Sequence, residues 1–383
     1  MVVEVGAATA SVFAEDFKKF IGSANGAERS FREEAFAVFA EKGFPGVKLE
    51  DWKYTNVAPI AKEDWTVEFS ESGEEVNDPK FASLMRSFNF ERNGFAALNA
   101  AFAAPRVIRI AKETAVQEPI EITFDAGEGK AAFPRILVVA EAGSKATLIE
   151  TYSSEAKSLT NTAVQIIVED NANLTHYRVQ KESPEAFHIG TTEVTLKRGS
   201  VYNSTNINLG GAIARHDIDL KFTEEGAEAW VDGLYMLNST QHSDTHSVID
   251  HTVPNCVSHQ NYKGVLNDAS RAVFNGKVFV RENAHGTDAQ QSNKNLLLSN
   301  EARVDTKPQL EIFNDDVKCS HGATVGQLEE EELFYLLTRG LPEPLARNLL
   351  TYGFAEEIIN KIGIDSIKKE LDDAVLNRLQ ASL

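Results

Sequence analysis

Cysteine is scarce in this sequence of 383 residues, which contains only Cys256 and Cys319. Two cysteines are too few for a disulfide framework in a chain of this size, so we interpret both as reduced thiols. Two thiolates also cannot complete a four-cysteine metal site within one chain. A metal centre that uses these cysteines therefore needs other types of ligand, or ligands from another chain.

Long apolar runs and an excess of basic residues are missing as well. No apolar stretch is long enough to span a bilayer, and the first residues lack the basic and apolar segments of a secretory signal. The 57 acidic residues outnumber the 38 basic ones, and the resulting net charge of −19 disfavours nucleic acid and anionic membranes as partners. We expect a cytoplasmic protein, or one of the plastid stroma if the source is a plant.

Signatures of a self-contained enzyme are also absent from the sequence. It has no Gly-x-Ser-x-Gly nucleophile elbow, and Gly127-Glu128-Gly129-Lys130 lacks the upstream glycine and the following hydroxyl residue of a phosphate-binding loop. The adjacent carboxylates Asp315 and Asp316 alternate in direction on a strand and make a poor acid–base pair. We therefore predict a protein that is not an enzyme.

Hydrophobic spacing divides the chain into three predicted regions. Residues 1–100 show helical spacing between Phe13 and Phe44 and again from Pro79 to Phe90. Residues 101–325 show the period of two that is typical of strands. Residues 326–383 return to helical spacing, with one helix beginning near Pro344. This C-terminal region is either a bundle that caps the open end of the β region or a docking module for a partner.

A repeated turn-and-strand unit within the β region indicates a solenoid. Four copies begin at residues 143, 171, 199 and 226, with a period of about 28 residues. A fifth copy begins at residue 269, which implies one longer or degenerate coil before it. Strands without helices at this period fit two strands per coil of a β-solenoid, and a β-sandwich with short strands is the alternative.

The densest chemistry lies in the run from Asp315 to His321. Cys319 and His321 are separated by one residue, so on a strand both point to the same face. A thiolate and an imidazole supply two ligands for iron or zinc, whereas a complete site needs about four donors. Glu311, Asp315 and Asp316 are near in sequence and could contribute. The alternative is a buried thiol beside a hydrogen-bonded histidine.

Four of the nine histidines form a second candidate group: His242, His246, His251 and His259, with Asp244 and Asp250 between them. Their spacing does not match a helical metal motif, because this region has strand and turn character. We interpret them as stacked or turn-satisfying side chains, with a ligand or proton-relay role as the alternative. A stand-alone metal-binding protein, or a β-helix enzyme that acts on carbohydrate, is the corresponding alternative function.

Several segments of the sequence carry a resemblance to one known family. They are Gly43-Phe44-Pro45, Glu50–Thr55, Ala272–Gly276, Gln291–Leu298, Val304–Ile312, Asp315–Gly326, Leu333–Leu336 and Thr338–Leu341. Together they resemble the SufB/SufD family of iron–sulfur cluster assembly proteins. The version Lys318-Cys319-Ser320-His321-Gly322 is similar to the SufD branch. SufB chains carry a cysteine in the stretch that matches residues 290–295, where this sequence has none.

The resemblance implies both a fold and a function. Family members have a right-handed parallel β-helix flanked by helical N- and C-terminal regions. SufD-like members pair with SufB through the β-helix and bind the ATPase SufC through the C-terminal helical region. The resemblance thus implies a non-catalytic scaffold subunit, with His321 and Cys319 as metal ligands in a transient iron–sulfur cluster shared with SufB. We expect the isolated chain to hold no stable cluster, and a homodimer through the same edge is a further expectation.

Overall fold

The computed structural model describes residues 5–22, 26–68 and 78–380 of the chain. The helices of this described part are α1 (Val5–Ile21), α2 (Gly26–Lys42), α3 (Ala58–Lys62), α4 (Pro79–Arg86), α5 (Gly94–Phe102), α6 (Glu330–Thr338), α7 (Glu343–Ile359) and α8 (Asp365–Gln380). Short 3-10 turns occur at Glu50–Trp52 and Phe90–Arg92. None of these helices is both long enough and apolar enough to cross a membrane.

The centre of the described part is built from strands. They are β1 (Thr66–Glu68), β2 (Pro105–Ile110), β3 (Ile120–Asp125), β4 (Lys130–Ala132), β5 (Arg135–Ala140), β6 (Lys145–Ser153), β7 (Leu159–Val168), β8 (Asn173–Gln180), β9 (Phe187–Leu196), β10 (Val201–Asn208), β11 (Ile213–Phe222), β12 (Glu228–Leu237), β13 (His242–His251), β14 (Val257–Leu266), β15 (Arg271–Val280), β16 (Thr287–Leu297), β17 (Arg303–Ile312) and β18 (Val317–Gly326). Sheet A has 10 strands, namely β1, β2, β4, β5 and the odd-numbered strands from β7 to β17. Sheet B has 8 strands, namely β3 and the even-numbered strands from β6 to β18.

Successive coils stack in register through parallel strand pairs. Val201 of β10 pairs with Asn173 of β8 on one side and with Glu228 of β12 on the other. From β6 onward, each coil supplies one strand to sheet B and the next strand to sheet A. This arrangement confirms the prediction of a mainly β, parallel solenoid with two strands per coil and helices at both ends. It excludes the sandwich alternative, because sandwich sheets are antiparallel.

A left-handed backbone conformation at one corner of each coil accounts for the repeat. The corner residues have φ values between 55° and 76° and are Gly143, Asn171, Gly199, Gly226, Asn255 and Gly286. Glycine and asparagine adopt this conformation at lower cost than other residues do. The corner amide also bonds to the next coil, as the Gly143 amide does to the Asp170 carbonyl at 2.8 Å. The first four corners are the starts of the four predicted copies.

The predicted longer or degenerate coil after residue 226 is wrong. The same corner recurs at Asn255 and Gly286, so the coils continue without interruption. The supposed fifth copy, residues 269–274, leads into β15 of sheet A and follows Asp268, where φ is 53°. It belongs to the opposite corner of the coil. Both corners place a left-handed residue before a short strand, and for that reason sequence alone does not tell them apart.

The N-terminal helical region packs against the outer face of sheet A. Aromatic residues of α1, α2 and α5, among them Phe13, Phe39 and Phe102, share one buried cluster with residues of sheet A, which are Leu159, Ala163, Phe187, Ile189 and Ile213. The predicted helical spacing between Phe13 and Phe44 is confirmed as α1 and α2. The proposed division of the chain at residue 101 stays a prediction; α5 ends at Phe102 and β2 begins at Pro105.

The segment that follows α2 continues across sheet A toward the last coil. The Cζ atom of Arg215, a buried residue on β11, lies 3.8 Å from the centroid of the Trp52 ring. The hydroxyl of Thr55 donates to Oδ2 of Asp244 at 2.5 Å. Glu50 pairs with Lys307 of β17 at 2.7 Å. These contacts give the Glu50–Thr55 segment a physical role, because they attach it to three strands of the solenoid.

The C-terminal helices lie along the outer face of sheet B. Ile358, Ile359 and Leu371 of α7 and α8 pack in one buried cluster with Leu234 and Met236 of β12. They leave β18 exposed along most of its length, so the interpretation of this region as an end cap is wrong. The reason is that β8, β10, β12 and β14 carry outward-facing apolar residues near their C-terminal ends, which supply a surface for the helices.

Two reciprocal tyrosine–glycine pairs fill the interior between β12 and β14. Gly233 is the cross-strand partner of Tyr262, and Gly264 is the partner of Tyr235. A Cβ atom on Gly264 would lie 2.1 Å from Cε2 of Tyr235, and one on Gly233 would lie 2.1 Å from Cε1 of Tyr262. Each buried ring thus covers a glycine that no larger residue can replace without displacing the ring.

Replacing Gly264 by Ala is therefore expected to lower the free energy of unfolding by about 1–3 kcal/mol, because an added methyl group overpacks a filled interior. Gly322 on β18 is the matched control, since a Cβ atom there meets nothing within 4 Å. Gly322→Ala is expected to change stability by less than about 0.5 kcal/mol. Chemical denaturation of the two variants measures the difference, and equal stabilities would contradict the close packing of Tyr235.

Candidate functional site

Among the described residues, no strand pairs with the outer edge of the last coil in either sheet. β17 and β18 are the terminal strands of sheets A and B. Most residues of β18 are exposed. Three large apolar residues are exposed at this end, namely Ile312 at 41%, Phe313 at 55% and Val325 at 49%. A parallel strand edge with unpaired N–H and C=O groups is a template for pairing with another chain.

Cys319 continues an inward-facing column of sheet B. Its cross-strand partner is Ala289, which pairs with Ser258 in turn, and both of these residues are buried. The Cys319 side chain is half-buried and packs against the apolar core of the solenoid. Burial raises the pKa of the Cys319 thiol above its ordinary value, so the protonated form predominates at neutral pH.

His321 continues the next inward-facing column of the same sheet. Its cross-strand partner is Gln291, which pairs with Gln260. His321 is exposed because no coil follows it, whereas the two glutamines are buried. Nε2 of Gln291 donates to Oε1 of Gln260 at 2.6 Å, and within the described residues Oε1 of Gln291 has no hydrogen-bond partner. The register thus places Cys319 and His321 on the same side, as strand alternation predicted.

A polar cleft of about 460 Å³ opens beside His321. Outward-facing residues of sheet B line it, including Trp230 and His259, whose rings lie 4.5 Å apart. On the other side it is lined by Glu357 of α7 and by Lys361, whose Nζ lies 2.9 Å from Oδ1 of Asp232. The cleft therefore connects the end of the solenoid with the C-terminal helices.

The carboxylates that sequence reasoning offered as further ligands do not gather around Cys319 and His321. Asp315 and Asp316 lie in the exposed turn between β17 and β18, where the Asp316 amide donates to Oδ1 of Asn314 at 2.9 Å. Glu311 is exposed near the end of β17. In the part of the chain that the structure describes, no three histidine, cysteine or carboxylate residues are grouped so that they could hold a metal ion. Cys319 and His321 are thus two donors of an incomplete site.

The four histidines between residues 242 and 259 do not form one cluster, because three lie on β13 of sheet A, on two different faces, and His259 lies on β14 of sheet B. His242 and His246 face outward from β13, where His242 lies 2.8 Å from the Thr55 hydroxyl and His246 lies 3.0 Å from Oδ1 of Asp244. Burial lowers the pKa of His242 below its ordinary value. The His242 imidazole therefore serves the contact between sheet A and the segment that follows α2, whereas His246 contacts Asp244 and Arg215 within sheet A.

The other two histidines also have local partners. His251 stacks on Phe222 at 4.3 Å and lies 2.8 Å from the Ser258 hydroxyl in the interior of the solenoid. Burial lowers its pKa to about 4, so its imidazole is neutral at pH 7. His259 is on β14 of sheet B, 3.6 Å from Oδ1 of Asp288. The stand-alone metal-binding alternative thus finds no support in the described arrangement of these side chains.

Comparison with protein families identifies the chain. A family model described as the SufBD core domain of SUF-system FeS cluster assembly matches residues 122–354. The chain belongs to the SufBD family. A second SufBD model, for the N-terminal region of these proteins, matches residues 13–83. The first match covers the solenoid from β3 onward and the second covers most of the N-terminal helical region, with residues 84–121 between them.

Individual SufBD relatives are similar over most of this chain. An iron–sulfur cluster assembly SufBD family protein of Synechocystis is 37% identical over 295 residues, which cover 73% of this chain and 65% of that protein. The iron–sulfur cluster assembly protein SufD of Escherichia coli is 36% identical over 239 residues, with coverages of 62% and 56%. The chloroplastic protein ABCI7 of Arabidopsis thaliana is 32% identical, with coverages of 72% and 60%. The chain spans less than two thirds of the length of these relatives.

Sequence reasoning missed two features of this SufBD site. Gln291 lies far from His321 in sequence, and only the strand register makes them neighbours. The cleft joins residues of four strands, β12, β14, β16 and β18, with residues at the end of α7, and no spacing in the sequence signals it. The roles of Cys319 and His321 as ligands stay predictions.

Proposed function

We propose that this chain is a non-catalytic scaffold subunit of a SUF-type iron–sulfur cluster assembly complex, in which its last coil pairs with a SufB chain. Cys319 and His321 would contribute ligands to a nascent cluster at that interface, and the C-terminal helices would dock the ATPase SufC. The observation that carries the proposal is an uncovered strand edge that bears a thiol and an imidazole on one side. SufBD membership supports it, because the family is described by FeS cluster assembly.

The last coil has the features of a surface built for another β-solenoid. β17 and β18 each present a ten-residue parallel edge. Proteins usually protect such edges with charges, prolines or covering elements. β17 carries such protection, including Lys307 and Pro308, whereas Lys318 is the single lysine, arginine, aspartate or glutamate of β18. Ile312, Phe313 and Val325 are exposed at this end of the solenoid. A SufB coil placed on this edge would satisfy the free backbone groups and cover Phe313 and Val325. The same edge could also pair with a second copy of this chain when SufB is absent.

The nascent cluster is the cargo of this site, and it needs donors that this chain does not supply alone. Iron binding requires the thiolate form of Cys319, so the metal must displace a proton that burial otherwise holds on the sulfur. His321 lies above Gln291, whose Oε1 is free to accept from one imidazole nitrogen and so to orient the other toward a metal. The remaining ligands would come from SufB.

Replacing His321 by Ala is expected to lower the iron and sulfide content of a complex reconstituted with SufB and SufC by about tenfold or more, since a ligand is lost. Thermal unfolding should stay unchanged, because the side chain is exposed. His285→Ala is the matched control, as this exposed histidine lies in the turn before β16. Cys319→Ser distinguishes two roles for the thiol: loss of iron and sulfide would indicate a metal ligand, whereas unchanged iron and sulfide would indicate a thiol that only packs against the core. If the complex with His321→Ala held as much iron and sulfide as the wild-type complex, His321 would not be a ligand of the cluster.

The edge-pairing part of the proposal has its own test. Val325→Asp is expected to weaken binding to SufB about tenfold or more, because pairing would bury an unpaired carboxylate at the edge. Val47→Asp is the control, since Val47 is 47% exposed and Val325 is 49% exposed. Titration calorimetry compares the two variants. Equal affinities would show that the β17–β18 edge is not the pairing surface.

The proposed docking surface for SufC is the apolar side of α6 and the start of α7. Phe334 and Tyr335 of α6 are 67% and 55% exposed, and Leu345 and Leu349 of α7 are exposed by about half. Leu345 and Leu349 are four residues apart and share one helix face. Exposed apolar residues grouped in this way are typical of protein–protein contact surfaces. The rest of α7, by contrast, is anchored on sheet B through Ile358 and Ile359.

The geometry also suggests how an ATPase could influence the cluster site. Glu357 near the end of α7 and Lys361 just after it line the cleft that His321 also lines. Glu357 lies 2.5 Å from Nζ of the buried Lys263 of β14. A shift of α7 driven by SufC would therefore alter contacts on β12 and β14, which line the same cleft as His321. Nucleotide-dependent crosslinking between Cys319 and SufB would support this motion.

Replacing Leu349 by Asp is expected to reduce SufC binding about tenfold or more, because a charge would have to be buried in an apolar contact. Leu376→Asp on α8 is the control, since the leucines are 48% and 43% exposed. Binding to SufB should remain at the wild-type level in both variants, because α7 does not cover the last coil. Surface plasmon resonance with immobilised SufC measures the effect. Equal binding of the two variants would place the SufC surface elsewhere.

A further inference from the structure

A second cavity lies far from the last coil, where the N-terminal helices meet the first strands of sheet A. Its volume is about 300 Å³, at the lower end of the range for small-molecule sites. Phe31 and Arg32 of α2, Met85 and Arg86 of α4, and Arg135 of β5 line it. The cavity therefore combines three guanidinium groups with apolar surface, in a chain whose net charge is −19.

Arg135 is the unusual member of this group. Its side chain is buried, with 3% exposure for the residue. Its acceptors in the described part of the chain are neutral: Nη2 donates to the Met85 carbonyl and to Oε1 of Gln165 at 3.3 Å. The Nε atom has no hydrogen-bond partner among the described residues. A buried guanidinium that is neither paired with a carboxylate nor fully hydrogen-bonded is costly to keep in a folded protein.

The surroundings of Arg135 compensate its charge only in part. Its Cζ lies 4.7 Å from the centroid of the Phe88 ring and 5.5 Å from that of Phe31, which gives weak cation–π stabilisation. Burial lowers its pKa to about 9, while the charge of Glu193 opposes that shift and the charge of Arg32 adds to it. Arg135 therefore stays charged at neutral pH, in an environment that lacks a direct counter-ion.

The other two arginines of the cavity add further positive charge, and a carboxylate neutralises only one of them. The Nη2 atom of Arg32 lies 2.8 Å from Oε1 of Glu28, which also lines the cavity. Arg86 is exposed at the end of α4. Glu28 thus balances Arg32, whereas Arg86 and Arg135 leave the cavity with an excess of positive charge. An anion inside it would complete the charge balance.

We propose that this cavity binds a small organic anion, with its carboxylate or phosphate group on Arg135 and Arg86. The apolar part of the anion would lie against Phe31 and Met85. Guanidinium groups bind both kinds of anionic group through charge-assisted hydrogen bonds, and Arg135 lines the cavity with only neutral acceptors among the described residues. The proposal rests on this cavity alone and is independent of the cluster site on the last coil.

Binding at this position would join parts of the chain that are distant in sequence. The residues proposed to contact the anion belong to α2, α4 and β5, and Ala100 of α5 and Pro105 of β2 also line the cavity. The anion would therefore connect N-terminal helices to the solenoid. A ligand that binds only the folded state stabilises it and raises the melting temperature, by an amount that grows with the logarithm of the ligand concentration above the dissociation constant. Ligand binding should therefore be visible both as heat and as a thermal shift.

The test uses the full chain after exhaustive dialysis and four probes: sodium octanoate, phenyl phosphate, inorganic phosphate and octanol. Octanoate or phenyl phosphate is expected to bind with one-to-one stoichiometry and to raise the melting temperature, and the preferred probe reveals the preferred anionic group. Octanol lacks the charge and inorganic phosphate lacks the apolar body, so both should bind about tenfold more weakly or worse. Equal affinity for inorganic phosphate and phenyl phosphate would contradict the apolar contact.

Three variants assign the binding to the cavity. Arg135→Met is expected to weaken the preferred probe about tenfold or more, since a hydrogen bond to a charged group is lost. Arg86→Met should weaken binding of the preferred probe severalfold. Because Arg86 is exposed, this variant is expected to fold even if Arg135→Met does not, and it keeps the test decisive. Arg106→Met on the exposed side of β2 is the control and should bind like the wild type. Absence of one-to-one binding by either organic anion would overturn the proposal, as would wild-type affinity in Arg86→Met.

Discussion

Backbone hydrogen bonds between successive coils hold both sheets in register, and the positions of all other groups depend on that register. One corner of each coil contributes a residue in the left-handed conformation, and its amide reaches the carbonyl of the next coil, as between Asn171 and Arg198 at 2.8 Å. Side chains at equivalent positions then form columns across the strands. The Tyr235–Gly264 and Tyr262–Gly233 pairs show how closely the interior depends on this alignment, since a ring on one strand fills the space of a missing side chain on the next.

The same stacking explains why the candidate functional site lies at the last coil. Every internal coil has its edges covered by its neighbours, whereas β17 and β18 have a neighbour on one side only. Inward-facing columns that are buried deeper in the solenoid therefore emerge there, and Cys319 and His321 are the final members of two of them. A half-buried thiol and an exposed imidazole at an open edge form an incomplete site, which another chain of the same architecture could complete.

Helices cover the long sides of the solenoid, and they do so by different physical means. The N-terminal region combines an aromatic cluster with buried ionic contacts, such as Arg215 between Trp52 and Asp217. The C-terminal helices use an apolar stripe on the ends of four strands of sheet B. Beneath the N-terminal helices, the guanidinium of Arg135 has no compensating carboxylate partner among the described residues. On the other side, the apolar side of α6 and of the start of α7 is exposed. The two sides of the molecule thus differ in chemistry: one has a buried positive charge and the other has exposed apolar side chains.

Much of this architecture was determined by local sequence. Glycine or asparagine at the coil corners, the period-two strands and the helical spacing at both ends predict the solenoid, because each depends on conformational preferences of a few neighbouring residues. The spacing of Cys319 and His321 likewise predicts a shared side, since strand alternation is a local property. Other features required the tertiary structure. Only the stacking of coils reveals that Asn255 continues the corner and residue 269 does not, that Gln291 lies beneath His321, and that α7 and α8 follow sheet B instead of closing the end. These relations join residues about one coil or more apart, and packing between elements, which no local pattern encodes, decides them.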